Sequence, residues 1–298
     1  MIPAVAENVP LSRHTTLGTG GPAQWFATPE SVDDLVALLA WAADRDVPVA
    51  PVGLGSNLLV ADAGFPGLAL RLAGELATVA AEDETLVAGG GAALAVCLHR
   101  ARSAALGGLE FSCAIPGTVG GAVWMNAGAY GADITSVLAR ALVADARCAR
   151  WLRPDELGLA YRCSGLVRGQ VVARAELRLS PRPREEIKAT VAELQAARKA
   201  AQPTNRRTFG SVFKNPEHEL TAGRMLEACG LRGFALGGAR ISPKHANFIE
   251  NDGDARSADA LALIAEARRR AREQFGVVLK PEVQLLGPIE VPPLDGAA

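Results

Sequence analysis

The sequence predicts an α+β protein made of three consecutive parts. Between residues 73 and 180, runs of alternating apolar and polar residues separated by turn residues are typical of antiparallel strands. Apolar residues at helical spacing recur before, within and after that region. Two glycine-rich loops, at 53–57 and 115–133, interrupt these patterns and are candidate binding segments.

The first part, residues 1–72, is predicted to be a small α/β lobe. Ser31 can cap a helix with Asp34 three residues on, and apolar side chains then recur on one face as far as the polar break at 44–46. The short apolar run that starts at Val47 is typical of a strand, and it ends in the first glycine loop.

The second part, residues 73–200, is predicted to be an α+β lobe that carries the second glycine loop. Its hairpin-like stretches are 77–91, 141–152 and 166–180. A helix is predicted over 92–106, where two glycines stop it, and another over 184–200, after two prolines.

The third part, residues 201–298, is predicted to be a small α/β domain. Its elements are a helix near 221–229, strands around 239–249, a long helix over 257–275 and a final strand. In the long helix, Leu261, Ile264 and Phe275 are predicted to face the sheet, with a row of arginines on the solvent side. We assign no function to those arginines, and we leave open whether the last residues of the chain pack back on the first lobe.

Composition and charge exclude several classes of protein. A net charge of −1 and a pI near 6.5 argue against the basic surface that is expected of a nucleic-acid-binding protein. The longest apolar run, from Leu35 to Ala43, is too short to span a bilayer, and the first ten residues carry no signal-peptide pattern. We therefore expect a cytoplasmic protein without membrane insertion.

Cysteine and histidine spacing indicates neither disulfides nor a metal site. The five cysteines are odd in number and lack C-x-x-C spacing, and the four histidines show no ligand spacing. We predict reduced thiols and no bound metal.

The glycine-rich loops favour a phosphate-bearing ligand. In IPGTVGGAVWMNAGAYGAD, at 115–133, glycines alternate with hydroxyl and amide side chains, so backbone N–H groups can approach an anion. The segment VPVAPVGLGSNLLVAD, at 47–62, begins like a dinucleotide fingerprint, but Leu58 stands where the third glycine belongs and a strand follows instead of a helix. It is not a Rossmann loop. Each loop alone is also compatible with a tight turn.

Several further motifs follow one another along the chain. They are RHTTLGTGGPAQWFA at 13–27, YRCS at 161–164, GSVFKNP at 210–216, SPKHANFI at 242–249 and PEV at 281–283. Together with the glycine loops they resemble the UDP-N-acetylenolpyruvoylglucosamine reductase (MurB) family of peptidoglycan synthesis over nearly the whole chain. GSVFKNP is the specific motif, since the glycine loops alone indicate only the wider flavoprotein superfamily.

The resemblance implies a two-lobed FAD-binding region of the PCMH, or vanillyl-alcohol-oxidase-like, type followed by a small α/β substrate domain. It also implies a noncovalently bound FAD, NADPH as the hydride donor and a nucleotide-sugar substrate. The implied reaction reduces the enolpyruvyl group of UDP-N-acetylglucosamine enolpyruvate to UDP-N-acetylmuramate. The resemblance thus implies a UDP-N-acetylmuramate dehydrogenase that acts in cell wall biogenesis, and thereby in cell shape and division, and we expect a monomer.

The resemblance places the cofactor on the two glycine loops. The residues expected to bind FAD are Gly53, Leu54, Gly55, Ser56, Asn57, Leu58, Pro116, Gly117, Thr118, Gly120, Gly121, Asn126, Gly128, Ala129 and Tyr130. Many of them are glycines or carry short side chains, which leaves the backbone accessible to phosphate.

Three residues match the family's catalytic positions. Ser211 in GSVFKNP takes the place of the proton donor, a role that needs a strongly basic carbanion because a serine hydroxyl is a weak acid. Arg162 takes the place of a guanidinium that holds the substrate carboxylate. Glu282 matches a carboxyl group near the reacting carbon, and donating a hydrogen bond there requires an upward shift of its pKa. Without the resemblance, these three would be a turn residue and surface ion-pair partners.

Substrate contacts are expected from Tyr161, Lys214 and Asn215. Arg206 and Arg207 suit the substrate diphosphate, or they form a solvated loop face. The short segment between YRCS and GSVFKNP leaves no room for a tyrosine-bearing insertion found in some family members. The chain therefore resembles the shorter, type II-like subgroup.

Two other functions remain open at this level. Another FAD oxidoreductase of the same superfamily, such as an oxidase of alcohols or hydroxy acids, accounts for the glycine loops but not for GSVFKNP, YRCS and PEV together. A nucleotide-binding module without activity conflicts with the intact Ser211, Arg162 and Glu282.

Overall fold

A computed structural model describes residues 3–294 of the chain. The helices are α1 (Val32–Ala43), α2 (Leu94–Ser103), α3 (Val119–Trp124), α4 (Arg184–Ala201), α5 (Ala222–Ala228) and α6 (Ser257–Phe275). The strands are β1 (Val5–Pro10), β2 (Pro22–Ala27), β3 (Val49–Pro51), β4 (Leu58–Val60), β5 (Phe65–Leu70), β6 (Val79–Glu82), β7 (Thr85–Gly89), β8 (Leu106–Gly107), β9 (Gly128–Ala129), β10 (Ala132–Asp133), β11 (Leu138–Ala144), β12 (Ala149–Leu152), β13 (Val171–Arg178), β14 (Ser180–Pro181), β15 (Ala235–Leu236), β16 (Ala239–Ile241), β17 (Ile249–Asn251) and β18 (Gln284–Leu286).

The described chain divides into two compact units. The first consists of residues 3–8, Gln24–Leu54 and Pro66–Arg198, and the second of Val9–Ala23, Gly55–Phe65 and 199–294. The division into domains 1–72, 73–200 and 201–298 stays a prediction. None of the helices between residues 3 and 294 combines the length and apolar character that a membrane crossing needs.

The first unit contains an antiparallel five-stranded sheet with the strand order β12-β11-β13-β7-β6. In its centre, Ala175 of β13 lies opposite Ala141 on one side and Ala88 on the other, and all three are buried. Helices α2 and α3 pack on this sheet and contribute to the same core. The stretch 166–180, predicted as a hairpin, provides one strand because its partners on both sides come from elsewhere in the chain.

Helix α1 forms where local signals predict it. The Oγ of Ser31 accepts the N–H of Asp34 at 3.1 Å, and acidic residues occupy the first turn, where the helix dipole favours them. Its apolar face packs into a second core of the first unit that includes Leu68 and Leu70 of β5. β5 belongs to a four-stranded sheet with the order β1-β2-β5-β3.

Helix α2 is shorter than the predicted 92–106. It ends at Ser103, and Ala105 adopts a left-handed conformation with φ +58°, so the chain turns before the glycine pair. Gly107 instead lies in β8, opposite Ser180 of β14.

The second unit contains the antiparallel sheet β15-β16-β17, against which α6 packs. The buried residues of α6 lie on one face of the helix and are Ser257, Ala260, Leu263, Ile264, Ala267 and Ala271. Leu261 and Phe275, predicted to face the sheet, are half-buried. The last strand, β18, pairs in parallel with β4, with Leu285 opposite Leu59.

Both ends of α6 lie where the sequence predicts them. Gly276 terminates the helix in a left-handed conformation with φ +69°. At the other end, the carboxylate of Asp62 accepts the N–H groups of Ser257 at 2.8 Å and Ala258 at 3.0 Å. This cap joins distant parts of the chain, so the pattern around residue 257 does not predict it.

The five cysteines are free thiols. Cys97 and Cys229 are buried, Cys113 is half-buried, and Cys148 and Cys163 are exposed. Burial raises the pKa of Cys97 to about 12, which makes its thiol unreactive. Within residues 3–294, no cluster of three or more potential metal ligands occurs.

Candidate active site

The start of the first glycine-rich loop, at Gly53, meets the second glycine-rich loop within the first unit. A Cβ placed on Gly53 would lie 2.6 Å from the Oγ1 of Thr118, so only glycine lets the first loop lie this close to the second. Thr118 is buried and caps α3, with its Oγ1 accepting the N–H of Gly121 at 3.4 Å. The loops that the sequence assigns to one ligand are therefore neighbours.

The second loop contains the short helix α3, which the sequence did not predict. Val119 donates to the carbonyl of Ala92 at 2.9 Å, and Gly120 donates to that of Gly90 at 2.7 Å. A Cβ on Gly90 would lie 1.9 Å from the carbonyl oxygen of Val172, so only glycine fits at the position whose carbonyl binds Gly120. The N–H groups of Val119 and Gly120 are therefore used inside the protein.

Backbone donors suited to a phosphate occur in the first loop. Among residues 3–294, no acceptor is found for the N–H groups of Gly53 and Leu54. Leu54 is also 40% exposed. Consecutive N–H groups without an internal acceptor form a cradle for an anion. The first loop thus fits the phosphates of the FAD that the motifs imply.

Asn126 fixes the second loop to the segment that precedes Arg162. Its Nδ2 donates to Asp133 at 3.2 Å and to the carbonyl of Ala160 at 3.1 Å. Its Oδ1 accepts both the N–H and the Oγ1 of Thr135. Since protein groups occupy all of its amide positions, Asn126 shapes the loop in this structure.

Arg162 lies against the same loop. Its guanidinium donates to the carbonyl of Gly128 at 2.6 Å and lies 5.1 Å from the centre of the Tyr161 ring. Its φ of +56° is unusual for a residue other than glycine, and such conformations concentrate at functional sites. Tyr161 is 52% exposed. Arg162 is therefore held beside the glycine loop.

Tyr130 links the second loop to α4. Its hydroxyl donates to the carbonyl of Leu194 at 3.1 Å, and its φ is +53°. Desolvation, with a smaller contribution from Cys113, raises the pKa of Tyr130, so the hydroxyl remains a donor at neutral pH. About half of the side chain is exposed, at 47%.

Ser211 lies in the second unit on a loop that Asn247 anchors. Val212 donates to the carbonyl of Asn247 at 2.9 Å. The buried side-chain amide of Asn247 accepts the N–H of Phe213 at 3.0 Å and donates to its carbonyl at 2.9 Å. Within residues 3–294 the Oγ of Ser211 makes no hydrogen bond, and the residue is partly exposed. The hydroxyl is therefore available to a ligand on a firmly held backbone.

Glu282 and Asn57 lie beside the Ser211 loop. Glu282 donates its N–H to the carbonyl of Val212 at 2.8 Å, and Phe213 forms a β-bridge with Pro281. The Nδ2 of Asn57 donates to the carbonyl of Glu282 at 3.2 Å. The second unit thus brings together Ser211, Glu282 and Asn57 of the predicted cofactor loop, whereas Arg162 belongs to the first unit.

The two residues assigned to the substrate after Ser211 differ in their contacts. Lys214 donates its N–H to the carbonyl of Lys280 at 2.9 Å. The Oδ1 of Asn215 accepts the N–H of Ala222 at 3.1 Å, at the start of α5. Asn215 therefore stabilises the N-terminus of α5, a role that the sequence did not predict.

Arg206 belongs to an ion-pair network. Its guanidinium donates to Glu250 at 2.9 Å and to Asp252 at 2.5 Å, and Arg240 contacts Glu250 at 3.0 Å. Burial alone would raise the pKa of Glu250, but hydrogen bonds from Ser242 and both arginines outweigh it and lower the pKa. Arg206 is thus a paired cation rather than an isolated charge on a solvated loop.

Comparison with known proteins covers almost the whole chain. A model described as "FAD binding domain" matches residues 23–147, and one described as "UDP-N-acetylenolpyruvoylglucosamine reductase, C-terminal domain" matches residues 202–286. A UDP-N-acetylenolpyruvoylglucosamine reductase of Agathobacter rectalis is 42% identical, covering 94% of this chain and 93% of its own. One of Anaeromyxobacter dehalogenans is 44% identical, covering 98% and 89%. The chain belongs to the UDP-N-acetylenolpyruvoylglucosamine reductase family.

A solved member of this family has the same fold. The crystal structure of UDP-N-acetylenolpyruvylglucosamine reductase (MurB) from Thermus caldophilus superimposes with a TM-score of 0.81 at 38% identity, covering 95% of this chain and 98% of that one. The family predicted from the motifs is confirmed. So is the fold class, a two-lobed FAD-binding region followed by a small α/β domain.

The residues that motif matching missed are those that position others. Asn247 lies in the SPKHANFI motif, but nothing local shows that its amide holds Phe213. Gly90 belongs to a glycine triplet that ends the hairpin predicted over 77–91. A glycine triplet directly before a predicted helix is the signal that could have drawn it into the site.

Proposed function

We propose that this chain reduces the enolpyruvyl group of UDP-N-acetylglucosamine enolpyruvate to UDP-N-acetylmuramate in peptidoglycan synthesis, with FAD as cofactor and NADPH as hydride donor. The observation that carries the proposal is the presence of both domains of the reductase family, at 23–147 and 202–286, in one chain of matching length. The oxidase alternative has no such support, because only the FAD-binding half is common to it.

The reaction divides the work between cofactor and protein. When bound, FAD would supply the transfer of a hydride from NADPH to one carbon of the substrate double bond. The neighbouring carbon, next to the carboxylate, then takes up negative charge and one proton. The chain must therefore hold a carboxylate, stabilise an enolate and donate a proton.

We assign the proton to the Oγ of Ser211. Its hydroxyl is available because it has no hydrogen-bond partner within the described residues, while Asn247 holds the residues that follow it. A serine hydroxyl donates only to a strongly basic atom, and the enolate carbon is such an atom. A firmly held backbone supports this role, since proton transfer depends on distance and direction.

Arg162 and Glu282 act on the carboxylate and the enolate in this proposal. The planar fork of Arg162 suits two-point binding of a carboxylate, and its contact with Gly128 ties it to the cofactor loop. Glu282 extends from backbone that pairs with Val212, next to Ser211. A carboxyl group there can donate a hydrogen bond to the developing enolate when it is protonated.

The remaining site residues follow the same division. In this proposal the loop at 53–57 would hold the phosphates of FAD, and the segment 116–130, which approaches it closely at Gly53, would complete the cofactor site. Tyr161, Lys214 and Asn215 bind the nucleotide sugar. We also retain the proposals that the protein acts as a monomer and in the cytoplasm, which light scattering on the purified protein and cell fractionation test.

Product analysis tests the proposed function. The FAD-loaded protein is incubated with NADPH and UDP-N-acetylglucosamine enolpyruvate, and the mass of the nucleotide sugar is measured by mass spectrometry. We expect a product heavier by two hydrogen atoms, about 2 Da, formed in proportion to NADPH consumed. Oxidation of hydroxy acids or alcohols with oxygen, and no reduction of the enolpyruvyl sugar, would support the oxidase instead. Binding without turnover would indicate an inactive module.

A further inference from the structure

The N-terminal motif RHTTLGTGG has no role in the proposed chemistry, yet it contacts two segments that do. The N–H of Thr16 donates to the carbonyl of Gly55 at 3.1 Å. The Oγ1 of Thr16 lies 2.7 Å from the carbonyl oxygen of Thr208 and 3.2 Å from that of Gly55. Because a hydroxyl has one proton and the N–H already serves Gly55, the shorter contact is the one the hydroxyl donates. One residue thus holds two carbonyl groups that are far apart in sequence.

The Gly55 end of this contact lies in the predicted cofactor loop. Gly55 is buried and has φ +64°. A Cβ there would lie 1.9 Å from the carbonyl oxygen of His14 and 2.7 Å from the Cα of Thr15. The loop backbone therefore rests directly on the segment that carries Thr16, and only glycine permits this approach.

The Thr208 end leads to the proposed proton donor. The N–H of Gly210 lies 3.3 Å from the Oγ1 of Thr208, and Gly210 turns the chain with φ +84° directly before Ser211. The carbonyl that Thr16 holds thus lies three residues before Ser211 in the sequence, on its N-terminal side. The Asn247 contacts lie on its C-terminal side. Without the Thr16 hydroxyl, the approach to Ser211 loses an anchor on that side.

We propose that Thr16 is a positioning residue that ties the cofactor loop at Gly55 to the segment carrying Ser211. This inference rests on the proposed function, because it takes Ser211 as the proton donor and the loop at 53–57 as the FAD cradle. Thr16 itself needs no contact with substrate. Its effect is on distance: a small displacement of a reacting group is sufficient to slow a proton transfer strongly.

The chain offers a matched control in the neighbouring threonine. The Oγ1 of Thr15 donates to the carbonyl of Thr19 at 2.9 Å, within the same segment. Thr15→Val therefore removes a hydroxyl and one hydrogen bond without touching either loop carbonyl. Thr16→Val removes the bridging hydroxyl at nearly constant shape, and Thr16→Ser keeps it.

The experiment compares wild type, Thr16→Val, Thr16→Ser and Thr15→Val. Three quantities are measured: retention of FAD on dilution, the anaerobic rate of flavin reduction by NADPH, and the rate of reoxidation by the enolpyruvyl substrate. We expect Thr16→Val to lose FAD several-fold more readily and to be reoxidised about tenfold more slowly, with flavin reduction changed less. Thr16→Ser should restore both to within about threefold of wild type, and Thr15→Val should match wild type.

Three outcomes bear against the inference in different ways. If Thr16→Val and Thr15→Val have equal reoxidation rates and equal FAD retention, Thr16 has no positioning role. If Thr16→Val fails to fold, Thr16→Ala takes its place in the comparison. Equal losses in both half-reactions, without rescue by Thr16→Ser, would mean that Thr16 is only a structural residue. If wild type itself is reduced by NADPH but not reoxidised by the substrate, the proposed function fails, and the assignment to Ser211 falls with it.

Discussion

Ser211 depends on neighbours that hold its backbone. The backbone carbonyl of Asn247 accepts the N–H of Val212, and its side-chain amide binds both the N–H and the carbonyl of Phe213. These contacts hold the backbone after Ser211, and the hydroxyl of Ser211 stays available to a ligand. The identity of Ser211 could be predicted because GSVFKNP is a contiguous motif. Its support could not, because the partners lie 34 residues apart and only folding joins them.

Removal of the Ser211 hydroxyl should affect one half of the reaction. In Ser211→Ala we expect NADPH to reduce the flavin at close to the wild-type rate, while reoxidation by the enolpyruvyl substrate slows by roughly a hundredfold or more, because only that half delivers a proton to carbon. Stopped-flow absorbance of the flavin measures both rates. Equal losses in the two halves would mean that Ser211 shapes a shared pocket.

Replacement of Arg162 by lysine tests the planar fork. Arg162→Lys keeps the charge but loses bidentate geometry and the contact with Gly128, so we expect a loss of about 2 kcal/mol of transition-state stabilisation, read from kcat/KM for the enolpyruvyl substrate. Arg168→Lys, a change at an exposed arginine of the same unit, is the control. A kcat/KM equal to that of the control would remove Arg162 from the site.

Two substitutions of Glu282 separate its possible roles. If Glu282 donates a hydrogen bond to the enolate as a neutral group, Glu282→Gln should keep more activity than Glu282→Ala, since glutamine is still a donor. If it exchanges a proton, the two variants should be equally poor. Reoxidation rates compare them, and a near-normal rate in Glu282→Ala would contradict both roles.

At the scale of elements, the sequence predicts a helix or strand correctly when the contacts that determine it lie close together in the sequence. Helix α1 begins at a side-chain cap three residues from its partner, and α6 ends at a left-handed glycine, so both could be predicted. Helix α3 and the strand β13 could not. The amides that start α3 are bound by Ala92 and Gly90, and β13 takes partners on both sides from other parts of the chain.

The charged face of α6 makes its stability depend on pH. Hydrogen bonds from Arg269, and then from Arg270, lower the pKa of Glu266 from 4.5 to about 2. Because the pKa is lower in the folded state, the interaction stabilises fully above about pH 4.5 and is lost as the pH falls towards 2. Glu266→Gln should therefore lose less stability than wild type between neutral pH and about pH 3, as measured by urea unfolding.

The control for that prediction is a carboxylate without such partners. Glu193 is exposed on α4 and forms no hydrogen bond or ion pair within the described residues. Glu193→Gln should follow the wild-type acid profile. If Glu266→Gln follows it as well, the arginine contacts contribute nothing measurable, a result common for ion pairs on protein surfaces.

At the scale of the whole molecule, the candidate site residues are distributed over two compact units, each of which contains segments distant in sequence. The second unit alone joins residues 9–23, 55–65 and 199–294, which is why no consecutive stretch of sequence contains it. The motifs nominate the site residues, which stay predictions, but the sequence could not assign Arg162 and Ser211 to different units. That assignment depends on which apolar faces pack together, and such packing is not local.

The mode of FAD attachment is a further property of the whole chain. The glycine loops offer backbone donors and close approaches that suit a cofactor held without a covalent bond, so we expect a yellow protein with one noncovalent FAD. Acid precipitation should leave the colour in the supernatant. Colour that stays with the precipitated chain would contradict this prediction.

The most direct test of the central claim follows the flavin through one complete cycle without oxygen. NADPH is added in an amount equal to the protein-bound FAD, and the flavin absorbance is recorded until it bleaches. UDP-N-acetylglucosamine enolpyruvate is then added, with a hydroxy acid and buffer in parallel samples. The proposed function predicts that only the enolpyruvyl sugar restores the absorbance. Flavin that stays bleached with this substrate would contradict it.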